Sequence, residues 1–124
     1  MYLLDNKDQR LFVDQLRKMV DDKIVPRAAE IDEKEEFPWD LKKIFAEMGL
    51  LGLAVPEQYG GTDQGHMFTC LAVEEIARAC VSSSLIVQGQ VGLGADHDWR
   101  RRETKGKVWA YGSLRRCDHL LWTD

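Results

Sequence analysis

The spacing of apolar residues along the first third of the chain predicts amphipathic helices. Over residues 6–24 the apolar positions recur every three or four residues, as expected for one helix face. These positions are Phe12, Leu16, Met19 and Val20. Asn6 is a residue type that caps helices, so we expect the helix to begin there. Pro26 interrupts the pattern, and the charged run 32–36 is expected to be a solvated bend.

A second helix is predicted from Pro38, a favourable first helical residue, to Gly49, which can adopt positive φ and close the last turn. Its apolar positions are Leu41, Ile44, Phe45 and Met48, and the positions expected to face water are Lys42, Lys43 and Glu47. The following segment, 50–55, is apolar, although connecting segments generally lie on the surface. We therefore predict a buried connector that ends at a second break, 56–61.

The remaining pattern predicts two further helices and an all-α bundle. Residues 66–80 are apolar nearly all round, which is typical of a helix in the middle of a bundle. Within it, Glu74 and Arg78 are spaced to pair. The serines at 82–84 are predicted to cap a fourth helix over 85–93. Gly89 and Gly92 lie inside that helix at a cost of roughly 1 kcal/mol each relative to alanine, so we expect something to approach its backbone closely.

Charge divides the chain near residue 95. The whole chain of 124 residues has a net charge of −4, which indicates neither nucleic-acid nor membrane binding. Residues 1–95 have a net charge of −6, whereas residues 96–124 have +2 and contain three of the four tryptophans. We therefore predict a helical domain over 1–94 and an irregular C-terminal tail over 95–124.

No catalytic or metal-binding signature stands out in the sequence. Three cysteines without a disulfide framework, no apolar run of membrane-spanning length and no signal-peptide pattern together predict a cytoplasmic protein. His97, Cys117 and His119 do not have zinc-ligand spacing. His66 is interpreted as a solvated residue at the start of a helix. We predict no catalytic residue and no metal site.

Two motifs resemble the N-terminal domain of the acyl-CoA dehydrogenases. The first begins with Phe-Pro-Trp at 37–39, continues with Met-Gly-Leu-Leu-Gly-Leu at 48–53 and ends with Pro-Glu-Gln-Tyr-Gly-Gly at 56–61. The second is Val-Glu-Glu-Ile-Ala-Arg-Ala-Cys at 73–80, followed by serines and a helix of small residues. The resemblance extends from about residue 6 to residue 94.

This resemblance implies a fragment of an FAD-dependent enzyme that oxidises the α,β bond of acyl-CoA thioesters. It also implies an electron-transfer flavoprotein as the electron acceptor and a homo-oligomeric parent protein. The catalytic base and most FAD contacts of the family come from later domains, so the chain alone is expected to be inactive. By resemblance, the N-terminal domain supplies one wall of the acyl pocket. Its substrate-binding positions here would be Ser84, Leu85, Val87, Gln88 and Val91.

The tail does not resemble the family, and the genetic code suggests a reason. Reading one base further on, Trp99 before an arginine codon must give Gly, and Glu103–Thr104 must give Lys or Arg. The shifted reading is compatible with the family pattern, so we predict that the chain from about residue 95 is an out-of-frame translation. An intact in-frame gene with no dehydrogenase coding downstream would contradict this.

Two other functions remain open from the sequence. A non-catalytic helical interaction module could use the apolar surface of 66–94 as its docking face. A binder of nucleic acid or membrane surfaces could use the arginines at 100–102 and 115–116.

Overall fold

The computed structural model describes residues 6–95, apart from the side chains of Tyr59 and of residues 90–95. This part of the chain contains five α-helices and no strand. They are α1 (Lys7–Met19), α2 (Ala28–Lys34), α3 (Trp39–Glu47), α4 (Gly65–Ala79) and α5 (Val81–Ala95). The predicted all-α helical bundle is confirmed. The predicted irregular tail lies outside the described residues, and the domain boundary at residue 94 stays a prediction.

The first predicted helix begins as expected and changes type before the proline. The Asp8 backbone N–H donates to Asn6 Oδ1 at 2.9 Å, which caps α1. A π-helical turn, Val20–Ile24, follows α1, and a 3-10 turn, Val25–Arg27, contains Pro26. The prolyl ring cannot continue an α-helical hydrogen-bond ladder, which explains the interruption.

Helix α2 includes part of the segment predicted to be a solvated bend. Residues 32–36 are exposed as predicted, but α2 continues to Lys34 and the chain turns only at Glu35, where φ is 52°. The Lys34 ammonium lies 2.6 Å from Glu30 Oε1 one turn earlier, and such pairs favour a helical last turn.

Helix α4 lies at the centre of the bundle, with α1 on one side and α5 on the other. Ala72 and Ile76 on α4 are completely buried, and the hydrophobic core to which they belong contains residues from every other helix. The side chains with the largest fully buried volumes include Phe45, Leu16, Ile24, Leu41 and Leu50. The predicted central position of the helix over 66–80 is confirmed, although Met67 and Cys70 on its outer face are exposed.

Three positions in or next to α3 differ from the prediction. Pro38 is the residue before the helix rather than its first residue, and α3 ends at Glu47, so Met48 is 43% exposed. Lys42, predicted to face water, is buried. Its ammonium lies 5.0 Å from the centroid of the Trp39 ring, which covers the side chain.

Helix α5 begins four residues earlier than predicted. Cys80 adopts an extended conformation that separates α4 from α5, and α5 begins at Val81. The serines at 82–84 therefore lie inside the first turn, and the prediction that they precede the helix is wrong. Ser83 and Ser84 are buried, and Ser84 Oγ donates to the Val81 carbonyl at 2.7 Å. A short hydroxyl side chain can donate a hydrogen bond to a carbonyl of the preceding turn, so a serine can be buried inside a helix.

Candidate functional site

The connector between α3 and α4 folds back on itself and sets where α4 begins. Gly49 ends α3 with φ of 75°, and the apolar residues after it are buried as predicted. Four backbone hydrogen bonds then hold the returning segment. The N–H groups of Thr62 and Asp63 donate to the carbonyls of Gly52 and Val55 at 2.9 and 3.0 Å. Those of Gln64 and Gly65 both donate to the Leu53 carbonyl, at 2.7 and 3.1 Å.

Close backbone contact inside this connector requires a particular glycine. A Cβ atom on Gly61 would lie 1.9 Å from the Val55 carbonyl oxygen and 2.5 Å from Val55 Cβ. Both are atoms of a buried residue whose carbonyl already accepts a hydrogen bond, so they cannot move independently. Gly61 therefore has a steric role in the connector that leads to α4, whereas Gly60 is required for its positive φ of 86°.

A buried carboxylate fixes α4 against α1. Glu75 accepts two hydrogen bonds from the Arg17 guanidinium, from Nε at 3.0 Å and from Nη2 at 3.1 Å. Arg78 Nε donates to Glu75 Oε1 at 2.8 Å, and Arg78 Nη2 donates to Asp21 Oδ1 at 2.7 Å. The network therefore joins α1, the π-helical turn and α4. Parallel double hydrogen bonds of this kind are the strongest form of a carboxylate–arginine pair.

The network stabilises the ionised form of Glu75. The hydrogen bonds from Arg17, together with those from Arg78, hold the pKa of the Glu75 carboxyl below its ordinary value of 4.5, although burial opposes this. Because the pKa is lowered in the folded state, the stabilisation is present above the ordinary pKa and is lost as the pH falls through the lowered value.

The predicted pair between Glu74 and Arg78 is wrong. Arg78 binds Glu75 and Asp21, while Glu74 is exposed. Adjacent helical positions point about 100° apart, so only one of the two glutamates can face α1. Sequence reasoning missed Arg17 and Asp21 as partners, because they lie more than 50 positions away.

The five substrate-binding positions predicted on α5 lie on different sides of the helix. Ser84 and Val87 are buried inside the described bundle. Leu85 is 57% exposed, and Gln88 is also exposed. The side chain of Val91 lies outside the described residues.

Beside Leu85 and Gln88, the surface of α5 is open. Apart from its chain neighbours and the nearby backbone of α5 itself, no atom of the described part of the chain lies within 4 Å of the place where a Gly89 Cβ would be. Leu85, Gln88 and Gly89 are spaced by three and four residues and so share one face of the helix. The close neighbour expected at this glycine is thus not supplied by the described residues, and an occupant from elsewhere stays a prediction.

A concavity of about 380 Å³ lies between α2 and α3 and is lined partly by Phe37 and Trp39. Arg27, directly before α2, donates across it to Asp40 of α3. Glu30 accepts from Lys34 within α2 itself. The Arg27–Asp40 pair therefore holds the start of α2 against α3, which is the role that we assign to the groove.

The described residues contain no group of three or more His, Cys, Asp and Glu side chains suited to hold a metal ion. Both cysteines in this region are free; Cys70 is exposed and Cys80 is buried. Ser83 Oγ donates to Cys80 Sγ at 3.2 Å. Within the same residues, no helix is both long enough and apolar enough to cross a membrane. His97, Cys117 and His119 lie outside the described residues.

Comparison with known protein families decides the lineage. The family described as "Acyl-CoA dehydrogenase, N-terminal domain" matches residues 6–105. The chain belongs to the acyl-CoA dehydrogenase family. The resemblance carried by the two sequence motifs is thereby confirmed, and the helical region described above matches the N-terminal domain of this family.

Curated members of the acyl-CoA dehydrogenase family align with the same part of the chain. Cyclohex-1-ene-1-carbonyl-CoA dehydrogenase of Geobacter metallireducens is 39% identical over 84 residues, which is 68% of this chain and 22% of the relative. Mitochondrial isovaleryl-CoA dehydrogenase of Oryza sativa subsp. japonica is 40% identical over 93 residues, or 73% of this chain and 21% of the relative. The 3-sulfinopropanoyl-CoA desulfinase of Paraburkholderia xenovorans is 32% identical over 89 residues, or 70% and 23%.

These relatives limit what the similarity determines. The chain spans between a fifth and a quarter of the length of the curated acyl-CoA dehydrogenases that it matches. Their names refer to different acyl groups and, in one case, to a desulfinase. Similarity to the N-terminal domain therefore identifies the family without selecting an acyl group.

Proposed function

We propose that this N-terminal domain forms one wall of the acyl-CoA and flavin pocket of an FAD-dependent acyl-CoA dehydrogenase. The reaction would remove hydrogen from the α,β bond of an acyl-CoA thioester, with electrons passed to an electron-transfer flavoprotein. Family membership supports the reaction class. The observation that supports the location is the open, partly apolar face of α5 at Leu85, Gln88 and Gly89.

The exposed residues of the predicted site are suited to contact an acyl-CoA and to select among acyl groups. The Leu85 side chain offers apolar surface to an acyl chain, and the Gln88 amide can donate and accept hydrogen bonds. The missing side chain at Gly89 leaves room for a ligand to approach the helix backbone. Ser84 and Val87 would act indirectly, by fixing the position of α5. Both side chains are buried, and the Ser84 hydroxyl donates a hydrogen bond to the Val81 carbonyl. Val91 remains a proposed substrate contact.

A flavin and a catalytic base would come from outside the described residues. We assign no catalytic residue and no FAD ligand to residues 6–95. The parent enzyme is proposed to be a homo-oligomer located in the cytoplasm. A role in nucleic-acid or membrane binding is not proposed.

The chain of 124 residues is therefore expected to be catalytically inactive by itself. The purified chain should show no flavin absorbance and should not oxidise isovaleryl-CoA or other acyl-CoA thioesters in the presence of a redox dye. Copurified flavin together with dye-coupled activity would contradict the proposal that the flavin and the catalytic base come from outside the described residues.

A chimera tests the role of the α5 face directly. Residues 6–94 would replace the matching segment of the rice isovaleryl-CoA dehydrogenase, and dye-coupled kcat/KM for isovaleryl-CoA would be measured. Leu85→Ala should lower kcat/KM by about tenfold, because apolar contact worth 1–3 kcal/mol is removed from the pocket.

Leu11→Ala is the matched control, since Leu11 on α1 is exposed to almost the same extent, 56% against 57%. It should leave kcat/KM unchanged. Equal kcat/KM for the two variants, at equal flavin content, would show that Leu85 does not face the substrate.

A further inference from the structure

The first turns of α4 present three side chains that can bind a metal ion, two of them through soft sulfur atoms, on one exposed surface. His66, Met67 and Cys70 are all exposed, with Met67 at 59%, and none contributes to the core. Cys70 is a free thiol. We propose that these three side chains bind one soft d¹⁰ metal ion, Cu(I), through an imidazole nitrogen, a thioether sulfur and a thiolate sulfur.

Helix geometry brings the three side chains together. At about 100° per residue, Cys70 lies one turn beyond His66 and Met67 and between them in direction, about 40° from one and about 60° from the other. Side chains three and four residues apart have Cβ atoms about 5–6 Å from each other, a span that a bound ion can bridge. The three ligands therefore form a triangle on the helix surface.

The helix holds this triangle in one orientation. Thr69, between Met67 and Cys70, is buried, and its hydroxyl donates to the Gly65 carbonyl at 3.3 Å. Phe68, on the same side of α4, packs edge-on against Phe12 of α1, with ring centroids 5.2 Å apart. These inward contacts fix the rotation of α4, so the three soft ligands are directed to solvent. No hydrogen bond or ion pair in the described part of the chain engages the His66 ring or the Cys70 thiol.

The ligand types favour Cu(I) over other common ions. Thiolate and thioether sulfur select soft metals, whereas Mg²⁺ and Ca²⁺ require several oxygen ligands. A structural Zn²⁺ site normally uses four nitrogen, sulfur or carboxylate ligands, of which only two are present here. Binding exchanges the Cys70 thiol proton for the metal: the proton leaves to solvent as the sulfur–copper bond forms, with no change of oxidation state.

Competition titration tests the site. The full chain, kept reduced and anaerobic, would be titrated into Cu(I) held by a chromophoric chelator. We expect one equivalent of Cu(I) to be withdrawn. Cys70→Ser should lower the affinity for Cu(I) by more than about 100-fold, and His66→Gln and Met67→Leu should each lower it by about tenfold. For comparison, replacing a residue that only supports a metal ligand typically lowers metal affinity by about 10–100-fold.

Two variants serve as controls. Cys117→Ser removes a thiol outside the described residues, and Met48→Leu removes an exposed thioether on another part of the surface. Both should bind Cu(I) as the unmodified chain does. Loss of binding in Cys117→Ser with retention in Cys70→Ser would overturn the proposal. So would equal affinities of Met67→Leu and Met48→Leu, or Zn²⁺ binding as strong as that of Cu(I).

Discussion

Gly61→Ala is expected to lower the free energy of unfolding by about 3 kcal/mol or more. The new methyl group would lie 1.9 Å from the Val55 carbonyl oxygen, far inside van der Waals contact. Val55 is 2% exposed, and its carbonyl accepts from the Asp63 N–H, so relief of the clash requires the connector to open. Since a domain of this size is stable by about 5–15 kcal/mol, much of its stability would be lost.

Denaturant unfolding followed by far-ultraviolet circular dichroism measures this loss. Gly89→Ala is the matched control, because the same methyl group meets open space on α5. It should leave stability unchanged or raise it by roughly 0.5–1 kcal/mol, since alanine favours a helix. A Gly61→Ala protein as stable as the unmodified chain would show that the connector does not hold this backbone contact.

Glu75→Ala is expected to lower the free energy of unfolding by about 2 kcal/mol. The substitution removes a buried carboxylate that holds Arg17 and Arg78, and it leaves a gap between α1 and α4. The arginines are half-exposed and can return to water, which limits the loss. Glu74→Ala, next to it on the exposed side of α4, should change stability by less than about 0.5 kcal/mol.

The contribution of Glu75 should depend on pH in a known direction. Since its pKa is lowered in the folded state, the stability difference between the unmodified chain and Glu75→Gln should be largest above the ordinary value of 4.5 and should shrink as the pH falls below it. Unfolding curves at several pH values measure this difference. A difference that grows on acidification would mean that the carboxylate is not stabilised by its arginine partners.

The glycines of the first family motif and the glutamates of the second have different structural roles. Positive φ at Gly49 favours glycine, and the lack of space at Gly61 leaves no room for a side chain, so both positions are backbone requirements. Glu75 is required for its charge and its position facing α1. Glu74, although adjacent in the motif, has no such contact in the described part of the chain.

The sequence alone determined the class of fold and the lineage. Periodic apolar positions predicted the helices, Asn6 predicted the start of α1, and Gly49 predicted the end of α3, because these signals depend on residues within one turn of each other. The motifs at 37–61 and 73–80 identified the family, which the match over 6–105 confirms. The buried connector could also be predicted, because its residues are uniformly apolar.

Only the tertiary structure decided which side chains face which neighbour. Lys42 is buried with its ammonium 5.0 Å from the centroid of the Trp39 ring. Glu75 pairs with Arg17 on a helix 58 positions away, and α5 begins directly after the extended Cys80. The same holds for the five positions proposed to bind substrate, which periodicity could not divide into buried and exposed sets. Sequence periodicity records the direction of each side chain around its own helix, whereas contacts depend on how the helices pack against one another.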